Sequence, residues 1–174
     1  MTLAEQLRAE IRNVPDFPKP GIQFKDITTV LKQGPLFRAV ADALYELWQS
    51  ERVDKVVSIE SRGFVYGSVL AYRFGAGFVM ARKRGKLPAE TVAVEYALEY
   101  GTDAIEIHAD AILPGERVLV HDDVIATGGT AAATVALVEK MGGYVVGCCF
   151  LVELADLRGR ERLSGYRVTS LVSF

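Results

Sequence analysis

Short hydrophobic runs alternate with helical patterns through most of this sequence. The runs at 53–59, 117–121 and 144–152 are rich in β-branched residues, which is typical of buried strands in a parallel sheet. Apolar residues at helical spacing follow the first two runs, at 63–74 and 129–141. Alternating strands and helices predict βαβ units with right-handed crossovers. We therefore expect an α/β fold with a central, mainly parallel β-sheet flanked by helices.

The first fifty residues show a different pattern. An amphipathic helix is predicted over 3–11, before the segment NVPDFPKPG at 13–21, where three prolines and a glycine predict irregular structure. A second helix is expected to begin near Pro35, because proline suits the first turn of a helix. Its apolar residues continue at helical spacing to Trp48 and are expected to lie in the core.

Two further segments, 91–97 and 104–108, alternate apolar with polar residues and carry exposed charges. This pattern predicts a two-stranded excursion. The segment that connects them, 98–103, is expected to project from the sheet as a flexible loop.

Composition limits the class of protein. A chain of 174 residues most simply forms one domain, and its net charge of −2 gives no electrostatic case for binding nucleic acid or a membrane. The charged N-terminus does not resemble a secretory signal, and no apolar run has the length of a membrane span. Cys148 and Cys149 are adjacent, so in a strand they point to opposite faces and are poor disulfide partners. Reduced core thiols in a cytoplasmic protein are expected.

A loop of small residues follows the second buried run. The run is expected to end at Asp122 and Asp123, and the next residues open into a helix: Ala126, Thr127, Gly128, Gly129 and Thr130. The glycines let the backbone curl around an anion, the helix N-terminus presents free N–H groups, and the threonines add hydroxyl donors. This combination predicts a nest for a phosphate monoester. It is neither a P-loop, since the lysine is absent, nor a GxGxxG turn.

The two carboxylates need another task, because they would repel a phosphate. Their distance from the loop suits hydrogen bonds with vicinal ribose hydroxyls. The alternative is structural: Asp123 caps a turn, and Gly128 and Gly129 only start a helix.

An apolar strand, two acidic residues, small residues and T-G-G-[ST] resemble the phosphoribosyl-pyrophosphate motif of the type I phosphoribosyltransferase family. Most members carry an apolar residue where this chain has His121. The resemblance implies that 5-phosphoribosyl 1-pyrophosphate is the substrate. It also implies Mg²⁺, bound mainly through that substrate near Asp122 and Asp123, with no direct protein ligand.

Two other segments are candidates for binding pyrophosphate. Arg62 follows the first strand beside a glycine and could grip an oxyanion, although a turn arginine at the surface is the commoner case. The resemblance implies that Glu60, Ser61 and Arg62 form the pyrophosphate loop, with a cis peptide between Glu60 and Ser61. Four cations lie within five residues in the segment that contains Arg82, Lys83 and Lys86. A solvated loop is the alternative there.

Three segments resemble the adenine-specific members of the family: 15–28, 82–88 and 98–101. The resemblance implies an N-terminal base-binding hood at about 1–33, over a core at about 34–174, in a single domain. The base would contact Ile22, Gln23, Phe24 and Lys25, the last standing where arginine is frequent. Glu99, with Tyr100 in the flexible loop, would handle the proton of the base. The alternative for both residues is a polar hairpin tip.

The implied reaction converts adenine and 5-phosphoribosyl 1-pyrophosphate to AMP and pyrophosphate in purine salvage, with Glu99 and Arg62 as catalytic residues. A homodimer is implied as well. Two alternatives stay open: a family member acting on xanthine, hypoxanthine or orotate, and a non-catalytic regulator that senses the phosphoribosyl substrate.

Overall fold

The computed structural model describes residues 1–97 and 101–174. The N-terminal elements are α1 (Leu3–Glu10), β1 (Arg12–Pro15), β2 (Gln23–Asp26), α2 (Thr28–Leu31) and α3 (Gly34–Glu46). Thr2 begins α1 with a capping box, in which the Thr2 hydroxyl accepts from the Glu5 N–H at 3.2 Å and the Glu5 carboxylate accepts from the Thr2 N–H at 2.7 Å. Pro35 lies in the first turn of α3, as predicted.

The prediction of irregular structure at 13–21 was wrong for its first residues. β1 and β2 pair as antiparallel strands, with Asn13 opposite Lys25 and Pro15 opposite Gln23. Proline is tolerated there because it ends an edge strand and leaves no internal ladder bond unmade. The turn between the strands contains a cis peptide bond between Phe17 and Pro18.

The remaining strands form one sheet. In chain order they are β3 (Lys55–Ile59), β4 (Gly77–Lys83), β5 (Thr91–Ala97), β6 (Thr102–His108), β7 (Arg117–Ile125), β8 (Tyr144–Glu153) and β9 (Val168–Ser173). Their order across the sheet is β5-β6-β4-β3-β7-β8-β9. The pairs from β4 to β9 across the centre are parallel, and β6 pairs antiparallel with both β4 and β5. The structure is therefore the expected α/β fold with a mainly parallel sheet.

Two hydrophobic clusters cover the two faces of the sheet. On one face, α1, α3 and α4 (Gly63–Phe74) pack through Leu7, Leu44 and Tyr66. On the other face, α5 (Gly129–Lys140) packs through Leu137 and neighbouring residues. Cys149 belongs to the first cluster and Cys148 to the second, and both are free thiols, as predicted.

The acidic pair lies inside β7, not after it as the sequence suggested. β7 continues to Ile125 because β8 runs beside it, pairing Asp122 with Phe150 and Ile125 with Glu153. The two alternating strands at 91–97 and 102–108 also extend the sheet edge through β4, where Arg82 pairs with Glu106. In the described part of the chain, no helix is long and apolar enough to cross a membrane.

Candidate functional site

A cavity of about 770 Å³ opens where β3 and β7 end. Side chains from β2, the β3–α4 loop, β7 and the segment after β8 line it: Ile22, Gln23, Phe24, Lys25, Glu60, Ser61, Arg62, Asp122, Asp123, Val124, Ala126, Thr127, Leu154 and Leu157. A smaller cavity of about 90 Å³ adjoins it at Asp122, Ala126 and Thr127 and continues to Gly128, Gly129 and Thr130. Ligands of open α/β sheets bind at this edge, outside the carboxyl ends of the strands. The structure therefore joins the predicted hood, arginine loop, acidic pair and phosphate loop in one site.

The phosphate loop has the geometry of an anion nest. Gly128 caps α5 with φ of +80°, and α5 begins at Gly129. A Cβ at Gly128 would lie 2.3 Å from the carbonyl oxygen of Gly159, whereas a Cβ at Gly129 would find no protein atom closer than 3.7 Å. The first N–H groups of a helix lack intrahelical partners, so the loop directs donors and the positive end of the helix dipole into the small cavity.

Tyr96 lies beside this nest, and the sequence analysis missed it. Its Cδ2 is the atom 3.7 Å from a Cβ built on Gly129, and its hydroxyl accepts a hydrogen bond from the Thr130 hydroxyl at 3.3 Å. The alternating pattern of β5 predicted a strand but gave no signal that Tyr96 reaches the phosphate loop.

Arg62 connects the acidic pair to the hood. Its Nε donates to Asp123 Oδ2 at 2.6 Å, and its guanidinium lies 4.6 Å from the centre of the Phe24 ring. Asp123 is 4% exposed, so this ion pair is largely shielded from water. The peptide between Glu60 and Ser61 is cis, as the resemblance implied.

The two aspartates of the pair have different environments. Asp123 is paired with Arg62, whereas Asp122 accepts a hydrogen bond from the Asp123 N–H at 2.8 Å. Burial, and after it the neighbouring Asp123 carboxylate, raises the pKa of Asp122 well above its ordinary value. A carboxyl group whose pKa is raised in this way can donate a hydrogen bond as well as accept one, which suits a ligand with vicinal hydroxyls.

The basic segment is held by carboxylates. Arg82 contacts Glu60 at 3.2 Å, the Lys83 N–H also donates to Glu60, and the Lys83 ammonium lies 3.1 Å from Asp103 Oδ2. The Lys86 carbonyl accepts from Arg82 at 3.1 Å. Glu60 therefore joins the β3–α4 loop to the end of β4, and none of the three basic residues lines the described wall of the large cavity.

The hood places an aromatic ring over the cavity. Phe24 packs edge-on against Phe17, with ring centres 5.1 Å apart. Lys25 donates to Asn13 Oδ1 at 3.0 Å and lies 4.3 Å from the centre of the Phe174 ring. Across the cavity stand Leu154 and Leu157, which begin and end a short 3₁₀ turn after β8. Leu154 entered the sequence comparison only as part of a matched segment, and Leu157 carried no signal.

His121 is buried beneath the site. Its Nδ1 lies 3.0 Å from the Cys149 carbonyl oxygen and donates to it. Burial lowers the pKa of His121 to about 4, so the ring is neutral at physiological pH.

Two parts of the predicted chemistry stand apart from this geometry. Glu99 and Tyr100 lie outside the described residues. Among the described residues, there is no cluster of three or more His, Cys, Asp or Glu that could hold a metal ion.

The parallel sheet, the phosphate nest and the acidic pair together define the class of phosphoribosyl-binding transferases. The family described as phosphoribosyl transferase domain matches residues 26–173, and the chain belongs to this family. Within the family, the chain is similar to the adenine phosphoribosyltransferases. It is 56% identical to the one from Rubrobacter xylanophilus, over 97% of this chain and 91% of that protein.

Solved structures of adenine phosphoribosyltransferases have the same fold as this chain. The crystal structure of adenine phosphoribosyltransferase from Thermoanaerobacter pseudethanolicus superposes with a TM-score of 0.96, at 51% identity, over 99% of this chain and 100% of that one. The enzyme from Saccharomyces cerevisiae, complexed with adenine and an imino-altritol bisphosphate, superposes with a TM-score of 0.91, at 40% identity, over 97% of this chain and 98% of that one.

Proposed function

We propose that this protein is an adenine phosphoribosyltransferase. It transfers the phosphoribosyl group of 5-phosphoribosyl 1-pyrophosphate to adenine and yields AMP and pyrophosphate for purine salvage. The observation that carries the proposal is the junction of the phosphate nest, the acidic pair, Arg62 and the Phe24 hood around adjoining cavities. The names of the relatives and the adenine bound in the yeast structure support the choice of base.

The nest at Ala126–Thr130 is proposed to hold the 5′-phosphate. It offers backbone N–H groups, the Thr127 and Thr130 hydroxyls and the N-terminus of α5. Asp122 and Asp123, at the mouth of the nest, are proposed to bind the ribose hydroxyls. The Asp123 carboxylate keeps acceptor capacity beyond its bond to Arg62, because an ionised carboxyl group accepts several hydrogen bonds.

The leaving pyrophosphate needs its charge neutralised as the bond at C1′ breaks. Arg62, together with Glu60 and Ser61 of the same loop, is proposed to bind that group, because all three line the large cavity with the acidic pair. Mg²⁺, carried mainly by the substrate's own oxygens near Asp122 and Asp123, would supply further positive charge. These oxygen donors suit a hard cation that keeps much of its own water. Arg82, Lys83 and Lys86 would reach the same group by exchanging their present partners.

Adenine is proposed to lie between the hood and the segment after β8. Phe24 offers an aromatic face, Ile22 and Gln23 offer backbone groups, and Leu154 and Leu157 offer an apolar wall for a flat base. Lys25 lines the same cavity at the edge of the hood. Glu99 is proposed to take part in moving the proton of the base while N9 attacks C1′.

The test is pyrophosphate release from 5-phosphoribosyl 1-pyrophosphate with one base at a time. We expect turnover with adenine and a kcat/KM for adenine well above that for hypoxanthine, xanthine, guanine or orotate. A higher kcat/KM with another base would assign the protein to that base. Binding of the phosphoribosyl substrate without turnover on any base would indicate a regulator and contradict the proposal.

A homodimer is part of the proposal. Phe78 and Met80 of β4 are 38% and 41% exposed, and Phe78 packs edge-on against Phe64. These apolar side chains offer an area that a second copy could cover. The solution mass from light scattering tests this assembly.

A further inference from the structure

Tyr96 lies between the phosphate loop and the ion pair of Asp103 with Lys83. The proposed reaction uses the phosphate loop and Lys83 for different groups of the substrate. On one side, the Tyr96 ring lies against Gly129, and its hydroxyl accepts from Thr130 at 3.3 Å. On the other side, it is the direct cross-strand partner of Asp103 in the β5–β6 ladder. Side chains in such positions have Cβ atoms about 5 Å apart, so they interact directly.

Asp103 is shared by several donors. Its Oδ1 accepts from the Ala104 N–H at 2.8 Å, and its Oδ2 pairs with the Lys83 ammonium at 3.1 Å. The Ala104 N–H, then Lys83 and finally the Tyr96 hydroxyl hold the pKa of Asp103 below its ordinary value. The Tyr96 hydroxyl accepts from the Thr130 hydroxyl, which leaves its own proton for the Asp103 carboxylate on the neighbouring strand.

Lys83 is the exposed member of this group. Its side chain is 62% exposed, whereas that of Asp103 is 23% exposed. An exposed ion pair contributes only about 0–1 kcal/mol, so Lys83 can leave it for a more highly charged partner. Asp103 cannot follow, because it is fixed in a strand beside the Ala104 N–H.

We propose that Tyr96 is a positioning residue that keeps Asp103 hydrogen-bonded when Lys83 turns from Asp103 to the pyrophosphate group. This inference rests on the proposed function, because it takes pyrophosphate as the ligand. Without the Tyr96 hydroxyl, the departure of Lys83 leaves a half-buried carboxylate short of donors. Lys83 then stays with Asp103, and pyrophosphate binds less tightly.

The contact between Tyr96 and Thr130, at the proposed 5′-phosphate site, does not use the Tyr96 proton. Thr130 has a single hydroxyl proton, which it gives to Tyr96 in the present structure and to a phosphate oxygen when the nest is filled. Tyr96 loses only a donor at that step, and its own proton remains available to Asp103. Removal of the Tyr96 hydroxyl therefore takes nothing from the phosphate contacts.

The test is calorimetric titration of the whole protein with Mg²⁺-pyrophosphate and, separately, with AMP. For Tyr96→Phe we expect pyrophosphate binding to weaken about 3- to 10-fold, the worth of one hydrogen bond. AMP binding should change by less than about twofold, because the proposed phosphate contacts do not depend on the Tyr96 hydroxyl. Tyr144→Phe, an exposed tyrosine on β8, is the matched control and should change neither affinity.

A second variant separates this role from general support of the fold. Asp103→Asn keeps the oxygen that accepts from Ala104 but releases Lys83, so pyrophosphate should bind at least as tightly as in the wild type. In the double variant, Tyr96→Phe should have no further effect. A loss from Tyr96→Phe that persists beside Asp103→Asn, an equal loss for AMP, or no loss at all would overturn the inference. Wild-type protein that binds neither ligand would instead overturn the proposed function, and this inference with it.

Discussion

Gly128 and Gly129 are adjacent in the phosphate loop but have different tasks. Gly128 adopts φ of +80°, and a Cβ there would lie 2.3 Å from the Gly159 carbonyl oxygen. Gly128 is therefore required by the fold itself. A Cβ at Gly129 would meet only ordinary contact distances inside the protein. Any cost of a side chain at Gly129 therefore falls on the ligand.

We predict that Gly129→Ala leaves the melting temperature close to that of the wild type and weakens AMP binding about 10- to 100-fold, the loss of one hydrogen bond to a charged group. The added methyl group would crowd the backbone N–H groups that are proposed to bind the phosphate. Calorimetry with AMP and thermal denaturation measure the two effects. Gly128→Ala is the paired comparison and should lower the melting temperature. Wild-type AMP affinity in Gly129→Ala would contradict the assignment of the phosphate to this loop.

For the acidic pair, the sequence predicts its position beside the phosphate loop but not its ion pair. Two aspartates before a small-residue loop are visible in the sequence, and their closeness to the phosphate nest follows directly. Which of them pairs with Arg62 does not follow, because that contact joins residues 61 positions apart. It depends on how β3 and β7 align, with Ser58 opposite His121.

At the level of elements, β5 and β6 bring an edge of the sheet to the phosphate loop. Tyr96 faces Gly129 and accepts a hydrogen bond from Thr130, so the end of β5 lies beside the phosphate loop. Glu99 belongs to that connection and lies outside the described residues. Its proposed task, moving the proton of the base, follows from its carboxyl group and from the resemblance.

We predict that Glu99→Gln lowers kcat by a factor of about 10²–10⁴, the usual worth of general acid–base catalysis. Glutamine keeps the size and polarity but cannot take the proton. Binding of 5-phosphoribosyl 1-pyrophosphate should stay within about twofold, since its contacts lie elsewhere. Single-turnover kinetics separates chemistry from product release. Glu95→Gln, on the same excursion and paired with Arg84, is the control. Wild-type single-turnover rates for Glu99→Gln would assign the proton to another group.

For the whole molecule, the hood and the core share one packed interior. Leu7 of α1 is fully buried in the same cluster as Trp48 and Leu151. We therefore propose that the chain unfolds as a single domain. One unfolding free energy then describes it, and buried titratable groups make that free energy depend on pH.

His121 is the clearest such group. Its pKa is about 4 in the folded protein and near 6.5 when unfolded, so the unfolded state takes up the proton first as the pH falls. Its contribution is constant above pH 6.5 and is lost between about pH 6.5 and 4, a total of about 3 kcal/mol.

We predict that His121→Val, which puts a β-branched residue in a strand, removes this part of the acid sensitivity. Urea unfolding at pH 7, 5.5 and 4.5 should show the stability of the variant rising relative to the wild type as the pH falls. Comparing the two proteins cancels the carboxylates, which titrate in both. Val120→Ala, at the neighbouring residue of β7, which carries no titratable group, is the control and should keep the wild-type slope. Parallel curves for the wild type and His121→Val would show that His121 can be protonated in the folded state.

Across these scales, the features that could be predicted depend on neighbours along the chain. Hydrophobic period, turn residues and the run from Asp122 to Thr130 are local, so β3, β7, β8, the helices α1, α3, α4 and α5 and the small-residue turn before α5 were predicted from the residue order, whereas the β1–β2 hairpin was not. The length of β7 was misjudged because its last residues are held by β8.

The rest of the site depends on contacts between segments that are distant in the sequence. Tyr96 reaches the phosphate loop from another strand, Leu157 lines the large cavity from a turn after β8, and Gly159 packs against Gly128. Each is an ordinary residue in its own segment. Its role arises from a contact between segments distant in sequence, and such contacts are set by the packing of the whole chain.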